Sequence, residues 1–535
     1  MAETTTVARQ EGGVIPQGTT RKAGEPLELI ALAVIAAAAV ALRLWPIGGV
    51  ATDYQDEGVY WQSLRAMAAG QPLFTAVFSS QPPFFLLSLY PFYLLLGQTL
   101  VAARLTVALY SLVGLGAIYY AGRALGGRWA GPVACALLAI DPLYLTESHT
   151  LQAEAPSLAF ALLAVALAAD ALRRAGGPRR ALAAASGVAL GLGVMTKLSD
   201  IVTLAPVAIL LAAPLYAPSI DARAAARPRV SSRTALASAL PDLALCAAGL
   251  VVACAAVLAP FLVAHAPVYD QAVRFHLVTE RTWLAHGGWR GNISVLRADL
   301  TGAYALPYAA LAVGACLLAV WRRTWVVAVP VAWLLASLAF LVRQLPLYSH
   351  HLVVVAPPLA LLAGLALTPL ARFAASPHAR RQGMPVQALV VGVVTVLVAL
   401  SLLFEARQGI ADDRAAARPV SPLQARVARA LRAATRPDES IATDNQYVAG
   451  LAGRTVVPQL VDTSQVRIVT GCLAPRYMSV GMVEDLITRA HVRVILFGSP
   501  RFSIPCLGPV AFPAWVRAHY PHVTDFGQGY ALYSK

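Results

Sequence analysis

Apolar blocks, each about as long as a membrane-crossing helix, recur along most of this 535-residue sequence. A transmembrane helix needs roughly 17–25 mostly apolar residues. Eleven blocks approach that length: 29–44, 101–121, 129–146, 155–172, 181–196, 201–216, 241–264, 303–320, 324–342, 352–371 and 386–404. Only 13% of the residues are charged, whereas soluble domains carry about 25%. The sequence therefore predicts an α-helical polytopic membrane protein with about eleven transmembrane helices.

Basic residues indicate how these helices are oriented. The net charge is +15, and the Arg residues cluster in short loops between apolar blocks. If the N-terminus is cytoplasmic, the cytoplasmic loops hold 15 basic residues and the outer loops seven, as the positive-inside rule requires. No basic stripe with interleaved aromatic residues is present, so we expect no nucleic-acid partner. The Arg- and Ala-rich composition is typical of GC-rich bacteria and predicts a multi-pass protein of the bacterial cytoplasmic membrane.

The predicted helices divide the chain into three parts. Residues 1–28 are expected to form a cytoplasmic N-terminal segment. Residues 29–404 form a transmembrane domain with a long first outer loop at 45–100. Residues 405–535 alternate between helix-like and strand-like patterns, which predicts a small extracytoplasmic α/β domain.

The first outer loop and the C-terminal domain each carry a feature of interest. In the loop, residues 56–70 read as an amphipathic helix. Residues 82–97 read as an aromatic-rich helix lying in the membrane interface. Cys472 and Cys506 in the C-terminal domain are equally compatible with a disulfide, in an oxidising compartment, and with two free thiols.

Ionisable residues gather at the outer ends of the predicted helices. They are Asp53, Asp56, Glu57, Glu147, His149, Glu154, Lys197, Asp200, Asp270, His276, Glu280, Arg281, His286, Arg290, Arg343, His350 and His351. Such groups are costly at membrane depth and tend to be functional. Their placement on one side predicts a site at the boundary between membrane and water.

Five motifs occur in an order that resembles one superfamily of membrane enzymes. They are Asp56-Glu57-Gly58-Val59-Tyr60, Gln81-Pro82-Pro83, Glu154, Lys197, and the Tyr348–His351 turn followed by Pro357-Pro358. Their order and topology resemble the GT-C membrane glycosyltransferases, and most of all the branch of protein O-mannosyltransferases and lipid A aminoarabinose transferases. The resemblance covers the membrane region, about three quarters of the chain.

The resemblance implies a reaction and a set of site residues. It implies an inverting hexosyl- or pentosyltransferase that moves a sugar from a polyprenyl-phosphate donor to a protein, glycan or lipid acceptor outside the cytoplasm. The acidic first-loop residue is the catalytic base in that family, which implies Asp56 here, with Glu57 beside it. The expected donor-binding residues are Gln81, Glu154, Lys197, Arg281, His350 and His351. Gln81 stands where aminoarabinose transferases carry Lys, and Glu154 where Asp is usual, so phosphate recognition must differ.

The residues themselves are consistent with this chemistry. Sugar transfer needs a base for the acceptor hydroxyl and positive charge for the departing phosphate. A carboxylate can supply the first, and Lys, Arg, protonated His or a divalent ion the second. The His and carboxylate spacing is not diagnostic of a metal. No cofactor is therefore predicted with certainty, a divalent metal is left open, and membrane lipids are the remaining expected partners.

Each candidate also has a structural interpretation. Asp56 and Glu57 suit the first turn of a helix, Lys197 suits the end of a membrane span, and Arg281 suits a solvated loop. Two other functions are left open, a transporter or flippase of lipid-linked sugars and a non-catalytic scaffold of the cell envelope. Transporters tend to show internal repeats and ionisable groups near the midplane, and neither pattern is seen in this sequence.

Overall fold

The structure, a computed structural model, describes residues 25–50, 54–220, 232–284, 288–302, 306–322, 324–374 and 385–535. Most of the predicted cytoplasmic segment 1–28 therefore lies outside the described residues, as do Asp53 and His286.

Helices make up the membrane region, and each of the eleven predicted blocks contains one. They are α1 (Glu25–Leu44), α2 (Tyr54–Ala68), α3 (Phe84–Leu95), α4 (Leu100–Gly126), α5 (Ala130–Ile140), α6 (Pro142–Glu147), α7 (Glu154–Ala171), α8 (Gly176–Thr196), α9 (Leu204–Ile220), α10 (Ser232–Val263), α11 (Phe275–Leu284), α12 (Gly288–Leu300), α13 (Leu306–Arg322), α14 (Ala328–Arg343), α15 (Ala356–Ala374) and α16 (Pro385–Ala416). Short 3-10 turns at Leu198–Thr203 and Ser349–Val355 precede α9 and α15. A π-helical turn at Asp270–Arg274 precedes α11.

Several of these helices can cross a membrane. Among the described residues, six segments are long and apolar enough: Pro26–Leu44, Leu100–Gly126, Glu154–Ala171, Leu198–Tyr216, Leu236–Val263 and Ser349–Ala366. Shorter apolar helices accompany them, among them the predicted interfacial helix α3. The prediction of a multi-pass helical membrane protein with a small C-terminal sheet domain is confirmed.

The third predicted span, 129–146, is two helices rather than one. Helix α5 ends at Ile140, and α6 begins at Pro142. The Asp141 side chain caps α6 by accepting a hydrogen bond from the Tyr144 backbone N–H at 2.8 Å. A residue that precedes proline disfavours the α conformation, so a break at this position is expected.

The antiparallel helices α7 and α8 have a different set of charged residues at each end of the pair. Helix α7 begins at Glu154 and ends beside Arg173 and Arg174. Helix α8 packs along it and runs back to Thr196, directly before Lys197. Glu154 and Lys197 therefore lie at one end of the pair, and the Arg-rich turn lies at the other.

The C-terminal domain is a mixed five-stranded sheet with helices. Its elements are α17 (Pro422–Ala434), β1 (Ser440–Thr443), α18 (Gln446–Leu451), β2 (Thr455–Val456), α19 (Gln465–Leu473), α20 (Val480–Arg489), β3 (Val494–Phe497), α21 (Ala511–His519), β4 (His522–Gly527) and β5 (Tyr530–Ser534). The strand order is β2-β1-β3-β5-β4, with β1 parallel to β2 and β3, and β5 antiparallel to β3 and β4. A disulfide between Cys472 and Cys506 ties the end of α19 to the Pro505–Leu507 turn.

The C-terminal domain and the predicted first outer loop share one hydrophobic core, which contains Trp61, Phe85, Tyr447 and Ile495. Helix α2 lies against α18 so closely that a Cβ at Gly58 would come within 2.5 Å of the Tyr447 backbone nitrogen. The Gln62 amide donates to the Gln446 and Arg454 carbonyls at 3.3 and 3.1 Å. The C-terminal domain therefore fixes the position of the first-loop helix.

Candidate active site

A cavity opens at the end of the bundle that holds Glu154 and Lys197. It has a larger lobe of about 290 Å³ and a smaller lobe of about 90 Å³. Residues that line both lobes are Gln81, Glu154, Lys197, His276, Gln344, Leu345 and His351. The smaller lobe adds Asp56, Val59, Tyr60, Gln152, Tyr348, His350 and, from the C-terminal domain, Asp462, Ser464 and Val466. The larger lobe adds Glu280, Arg343 and apolar side chains, among them Leu158, Leu198, Leu277, Phe340, Val353 and Val354.

Six of the eight residues predicted from the sequence meet at this cavity. They are Asp56, Gln81, Glu154, Lys197, His350 and His351. Glu57 and Arg281 do not line it. Their roles in catalysis or binding stay predictions.

Asp56 lies in the first turn of α2 and is partly buried against the smaller lobe. Tyr60, one turn later on the same helix, is held by an edge-to-face contact with Phe85 at 4.9 Å. Burial raises the pKa of Tyr60 well above its usual value, and the nearby carboxylates of Asp56, Glu154 and Asp462 add to that increase. Tyr60 therefore enters the lobe as a neutral phenol surrounded by carboxylates.

Glu57 points away from the cavity. It forms a two-pronged ion pair with Arg104 of α4, at 2.7 Å to Nε and 2.5 Å to Nη2. Its Oε1 also accepts a hydrogen bond from the Leu151 backbone N–H at 2.8 Å. Consecutive helical residues differ in direction by about 100°, so the two adjacent carboxylates face different surroundings. Glu57 thus joins α2 to α4 and to the segment before α7.

Glu154 and Lys197 form an ion pair in the wall shared by both lobes. The Lys197 ammonium donates to Glu154 Oε1, and the Glu154 side chain is only 2% exposed. His350 Nε2 lies 3.7 Å from the same carboxylate oxygen. These residues come from the start of α7, the end of α8 and the Ser349–Val355 turn. The charged part of the site therefore forms where the start of α7, the end of α8 and the Ser349–Val355 turn come together.

Glu154, His350 and His351 are also arranged as metal ligands often are. Their donor atoms lie within 4.8 Å of one another, and two imidazoles with one carboxylate suit a transition metal. However, the ammonium of Lys197 already bonds to the Glu154 carboxylate, and its charge would repel a divalent ion. The His351 Nδ1 atom also accepts a hydrogen bond from the Tyr348 backbone N–H at 3.2 Å. The residues therefore fit an ion pair better than a metal.

His276 of α11 lines both lobes of the cavity. Its Nε2 is 2.8 Å from the Ser80 carbonyl oxygen. Because a carbonyl can only accept, Nε2 carries the proton. Desolvation lowers the pKa of His276, the Ser80 contact opposes that shift, and the nearby Lys197 adds to it. His276 is therefore a neutral hydrogen-bonding group at neutral pH.

Three groups in the cavity lack a hydrogen-bond partner among the described residues. They are the Gln152 amide nitrogen, the second carboxylate oxygen of Glu154 and the Ser199 hydroxyl. All three residues are buried. Buried polar groups are normally satisfied, so these three atoms indicate where a polar ligand would bind.

A basic residue other than the predicted Arg281 lines this cavity. Arg281 is exposed on α11, whereas Arg343, the last residue of α14, lines the larger lobe. Gln152 and Val466 were not among the residues predicted from the sequence. Tyr348 entered only as part of the Tyr348–His351 turn, and Asp462-Thr463-Ser464 only as a polar turn. Arg343 has a usable signal in the sequence, since it ends an apolar helix on the side predicted to face outward. The polar turn at 462–464 does not indicate its place at the cavity, because that place depends on how the C-terminal domain packs.

Sequence comparison finds a family similarity in one segment of the chain. Residues 80–225 match the dolichyl-phosphate-mannose-protein mannosyltransferase family. That segment includes Gln81, Glu154 and Lys197 but not Asp56. No curated protein matches the chain significantly in sequence.

Structural comparison extends over nearly the whole chain. ArnT from Cupriavidus metallidurans bound to undecaprenyl phosphate matches with a TM-score of 0.64 and 16% identity, covering 95% of this chain and 98% of that one. The apo state of the same protein matches with a TM-score of 0.62 and 15% identity, and it covers 95% of this chain and 98% of that one. The apo oligosaccharyltransferase of Archaeoglobus fulgidus matches with a TM-score of 0.56 and 14% identity, and the match covers 92% of this chain and 71% of that one. At these identities the likeness shows the fold. The predicted resemblance to GT-C glycosyltransferases is confirmed.

Proposed function

We propose, from this fold and from the family match of residues 80–225, that the protein is a glycosyltransferase that moves a sugar from a polyprenyl-phosphate donor to an acceptor hydroxyl. The observation that carries the proposal is the cavity itself. It combines a carboxylate, Asp56, in the smaller lobe with two basic side chains, Lys197 and Arg343, toward an apolar-walled larger lobe. Sugar transfer from a lipid phosphate needs these three elements: a base, a cationic site for the leaving group and an apolar surface for its lipid.

The larger lobe suits the donor phosphate. Lys197 and Arg343 can form charge-assisted hydrogen bonds to phosphate oxygens, and Arg can do so with two N–H groups at once. Positive charge that is already in place stabilises the negative charge that develops on the leaving phosphate. The apolar side chains Leu277, Phe340 and Val353 form part of the same lobe and can contact the first lipid units.

An apolar groove beside the cavity suits the polyprenyl chain. It has a volume of about 450 Å³ and is lined by Phe84, Leu87, Val188, Leu192, Val252, Ala253, Ala256, Val257 and Pro260. Pro82 lines the larger lobe and Phe84 lines the groove, so the two adjoin. The related structures are consistent with such a ligand, since ArnT was solved with undecaprenyl phosphate and the archaeal oligosaccharyltransferase with a dolichol-phosphate.

The reaction is a single displacement in this proposal. The acceptor hydroxyl oxygen attacks the anomeric carbon, and the bond from that carbon to the phosphate oxygen breaks. The electron pair of that bond leaves with polyprenyl phosphate, and the hydroxyl proton passes to the Asp56 carboxylate. One displacement inverts the anomeric centre. Gln152 and Glu154 would hold sugar hydroxyls, and the ion pair with Glu154 would orient Lys197.

We place the cavity outside the cytoplasm of a bacterium, with the N-terminus inside and the C-terminal domain outside. The arrangement of α7 and α8 supports this orientation, because Glu154 and Lys197 lie at the end opposite the Arg173–Arg174 turn. Arg-rich turns mark the cytoplasmic side.

The test is donor cleavage by purified full-length protein in nanodiscs. Undecaprenyl-phosphate-linked mannose, glucose, galactose and arabinose are offered as labelled donors, with a membrane extract as acceptor. The control is Asp485→Asn, the same change at an exposed position of α20. We expect wild type and control to release undecaprenyl phosphate, and Asp56→Asn to be slower by about 10²-fold or more at unchanged thermal stability, as loss of a general base implies.

Two results would contradict the proposal. If wild type transports lipid-linked sugar across the bilayer without cleaving it, the protein is a flippase. If Asp56→Asn cleaves donor as fast as the control, Asp56 is only a helix-end carboxylate.

Chelation by EDTA is expected to leave cleavage unchanged, since Lys197 and Arg343 supply the positive charge.

A further inference from the structure

The C-terminal domain supplies one wall of the smaller lobe. Asp462, Ser464 and Val466 line it together with Asp56 and Tyr60 of the first outer loop. All residues that line the larger lobe come from the membrane region. The C-terminal domain therefore contacts the part of the cavity that holds the proposed base and not the part that holds Arg343.

This wall is fixed to the membrane region through several contacts. Thr470 of α19 and Thr279 of α11 share a hydrogen bond of 2.7 Å between their hydroxyls. The Arg467 guanidinium lies 3.8 Å from the centre of the Phe78 ring. The Tyr477 hydroxyl donates to the Asp270 carbonyl at 3.2 Å. Because these contacts surround α19, the segment that precedes it is held in place against the cavity.

The segment 462–466 also has a defined internal conformation. Asp462 Oδ1 accepts a hydrogen bond from the Ser464 backbone N–H at 2.9 Å. Arg467, which is buried, donates to the Asp462 carbonyl oxygen at 2.7 Å. The Asp462 side chain is only 4% exposed, yet it lines the lobe. A carboxylate held in this way is a preorganised hydrogen-bond acceptor.

Asp56 and Asp462 belong to the same electrostatic environment. Both carboxylates act on the Tyr60 hydroxyl, and all three residues line the smaller lobe. Asp462 also acts on His276, which is neutral. In the same lobe Lys197 is paired with Glu154. Arg467 also acts on Asp462 but does not line the lobe. Among the lining side chains, three carboxylates face one ammonium group, and this excess of negative charge favours hydroxyl or ammonium groups and disfavours a phosphate or carboxylate.

We propose that the C-terminal domain selects the acceptor. Residues 462–466 form the surface on which a hydroxyl-rich acceptor without negative charge binds. Asp462 accepts a hydrogen bond from an acceptor hydroxyl or ammonium group next to the hydroxyl that Asp56 deprotonates. This inference rests on the proposed transfer reaction, and it assigns Asp462 to acceptor specificity rather than to catalysis.

The experiment uses the full-length protein and the donor that it cleaves. Three synthetic octyl glycosides serve as acceptors, identical except for a hydroxyl, an amino or a phosphate group at one position away from the reacting hydroxyl. KM and kcat are measured for acceptor and donor in wild type, Asp462→Asn and Asp462→Glu. Asp525→Asn is the matched control, because Asp525 makes the same local bond, to the Gly527 N–H at 2.8 Å, on an exposed strand.

We expect wild type to prefer the neutral and amino acceptors over the phosphorylated one by at least about tenfold. Asp462→Asn should raise the acceptor KM by about tenfold, the range for a hydrogen bond to a charged group, and should narrow the preference against the phosphorylated acceptor. Its donor KM should not change. Asp462→Glu should recover part of the preference, and Asp525→Asn should behave as wild type.

Other outcomes separate the inference from the proposed function. If wild type cleaves no donor, the transfer reaction fails and the inference fails with it. If donor cleavage is normal but Asp462→Asn keeps the acceptor KM and the charge preference of wild type, the inference alone is wrong. If the donor KM rises and the acceptor KM does not, Asp462 binds the donor sugar, which also overturns it.

Discussion

Asp56 and Glu57 are adjacent carboxylates with opposite surroundings. Asp56 lines the smaller lobe, whereas Glu57 is fully buried in an ion pair with Arg104. Removing one partner of a buried pair leaves an uncompensated charge and typically costs about 3–5 kcal/mol. We therefore expect Glu57→Gln to lower the melting temperature in detergent strongly, and Asp56→Asn to leave it nearly unchanged.

The matched control for that prediction is the double variant Glu57→Gln, Arg104→Gln. It removes both charges, so part of the lost stability should return. Equal melting temperatures for Glu57→Gln and wild type would mean that the ion pair does not hold α2 against α4.

His276 gives stability a dependence on pH. Desolvation lowers its pKa in the folded protein, while an unfolded His titrates near pH 6.5. The unfolded chain therefore binds more protons just below pH 6.5, so the free energy of unfolding is at its full value above that pH and decreases as the pH falls. We expect His276→Gln, which can still donate to the Ser80 carbonyl, to show a smaller fall in melting temperature between pH 7.5 and 5.5.

His522→Gln is the control for the pH measurement, since His522 lies on the exposed strand β4. It should follow the wild-type curve. A His276→Gln curve that also follows wild type would show that His276 is protonated equally in the folded and unfolded states.

Helix packing decides which residues the sequence could identify. The order of apolar blocks and the ends of α7 and α8 were predictable, because hydrophobic length and the charge of short turns are local properties. The rotation of α2 against α18 decides that Asp56, and not Glu57, lines the cavity. This rotation is set by contacts between residues nearly 400 positions apart in the sequence, such as Gln62 and Gln446. The role of Asp462 as a lining residue depends on the same long-range packing.

The contact of α2 with α18 can be tested through a glycine. A Cβ at Gly450 would come within 2.3 Å of the Trp61 ring, and Trp61 is buried. Overpacking of this kind typically costs about 1–3 kcal/mol. We expect Gly450→Ala to shift α2, and with it Asp56, so donor cleavage should fall along with the melting temperature.

Gly481→Ala in α20 is the matched change, because a Cβ there has nothing within 4 Å. Alanine favours helix over glycine, so this variant should be as stable as wild type or slightly more so, with full activity. Full activity of Gly450→Ala would mean that the packing of α2 on α18 does not set the position of Asp56.

The protein as a whole joins two chemical environments across one cavity. The membrane region supplies the cations and apolar surface that suit a lipid phosphate, and the C-terminal domain adds the polar side chains of Asp462 and Ser464 to the smaller lobe. This division requires the cavity and the C-terminal domain to be on the same side of the membrane. The hydrophobic core that the predicted first outer loop shares with the C-terminal domain meets that requirement.

The side of the membrane on which the cavity and the C-terminal domain lie can be determined with single cysteine substitutions in intact cells. Asp438 and Arg174 are both exposed, with 78% and 57% of the side chain accessible. Asp438 precedes β1 in the C-terminal domain, and Arg174 lies in the Arg-rich turn after α7. We expect a membrane-impermeant maleimide to label Asp438→Cys in intact cells and Arg174→Cys only after permeabilisation, with wild type giving the background. The reverse pattern would place the cavity in the cytoplasm, and the proposed donor would then have to be presented on the inner face.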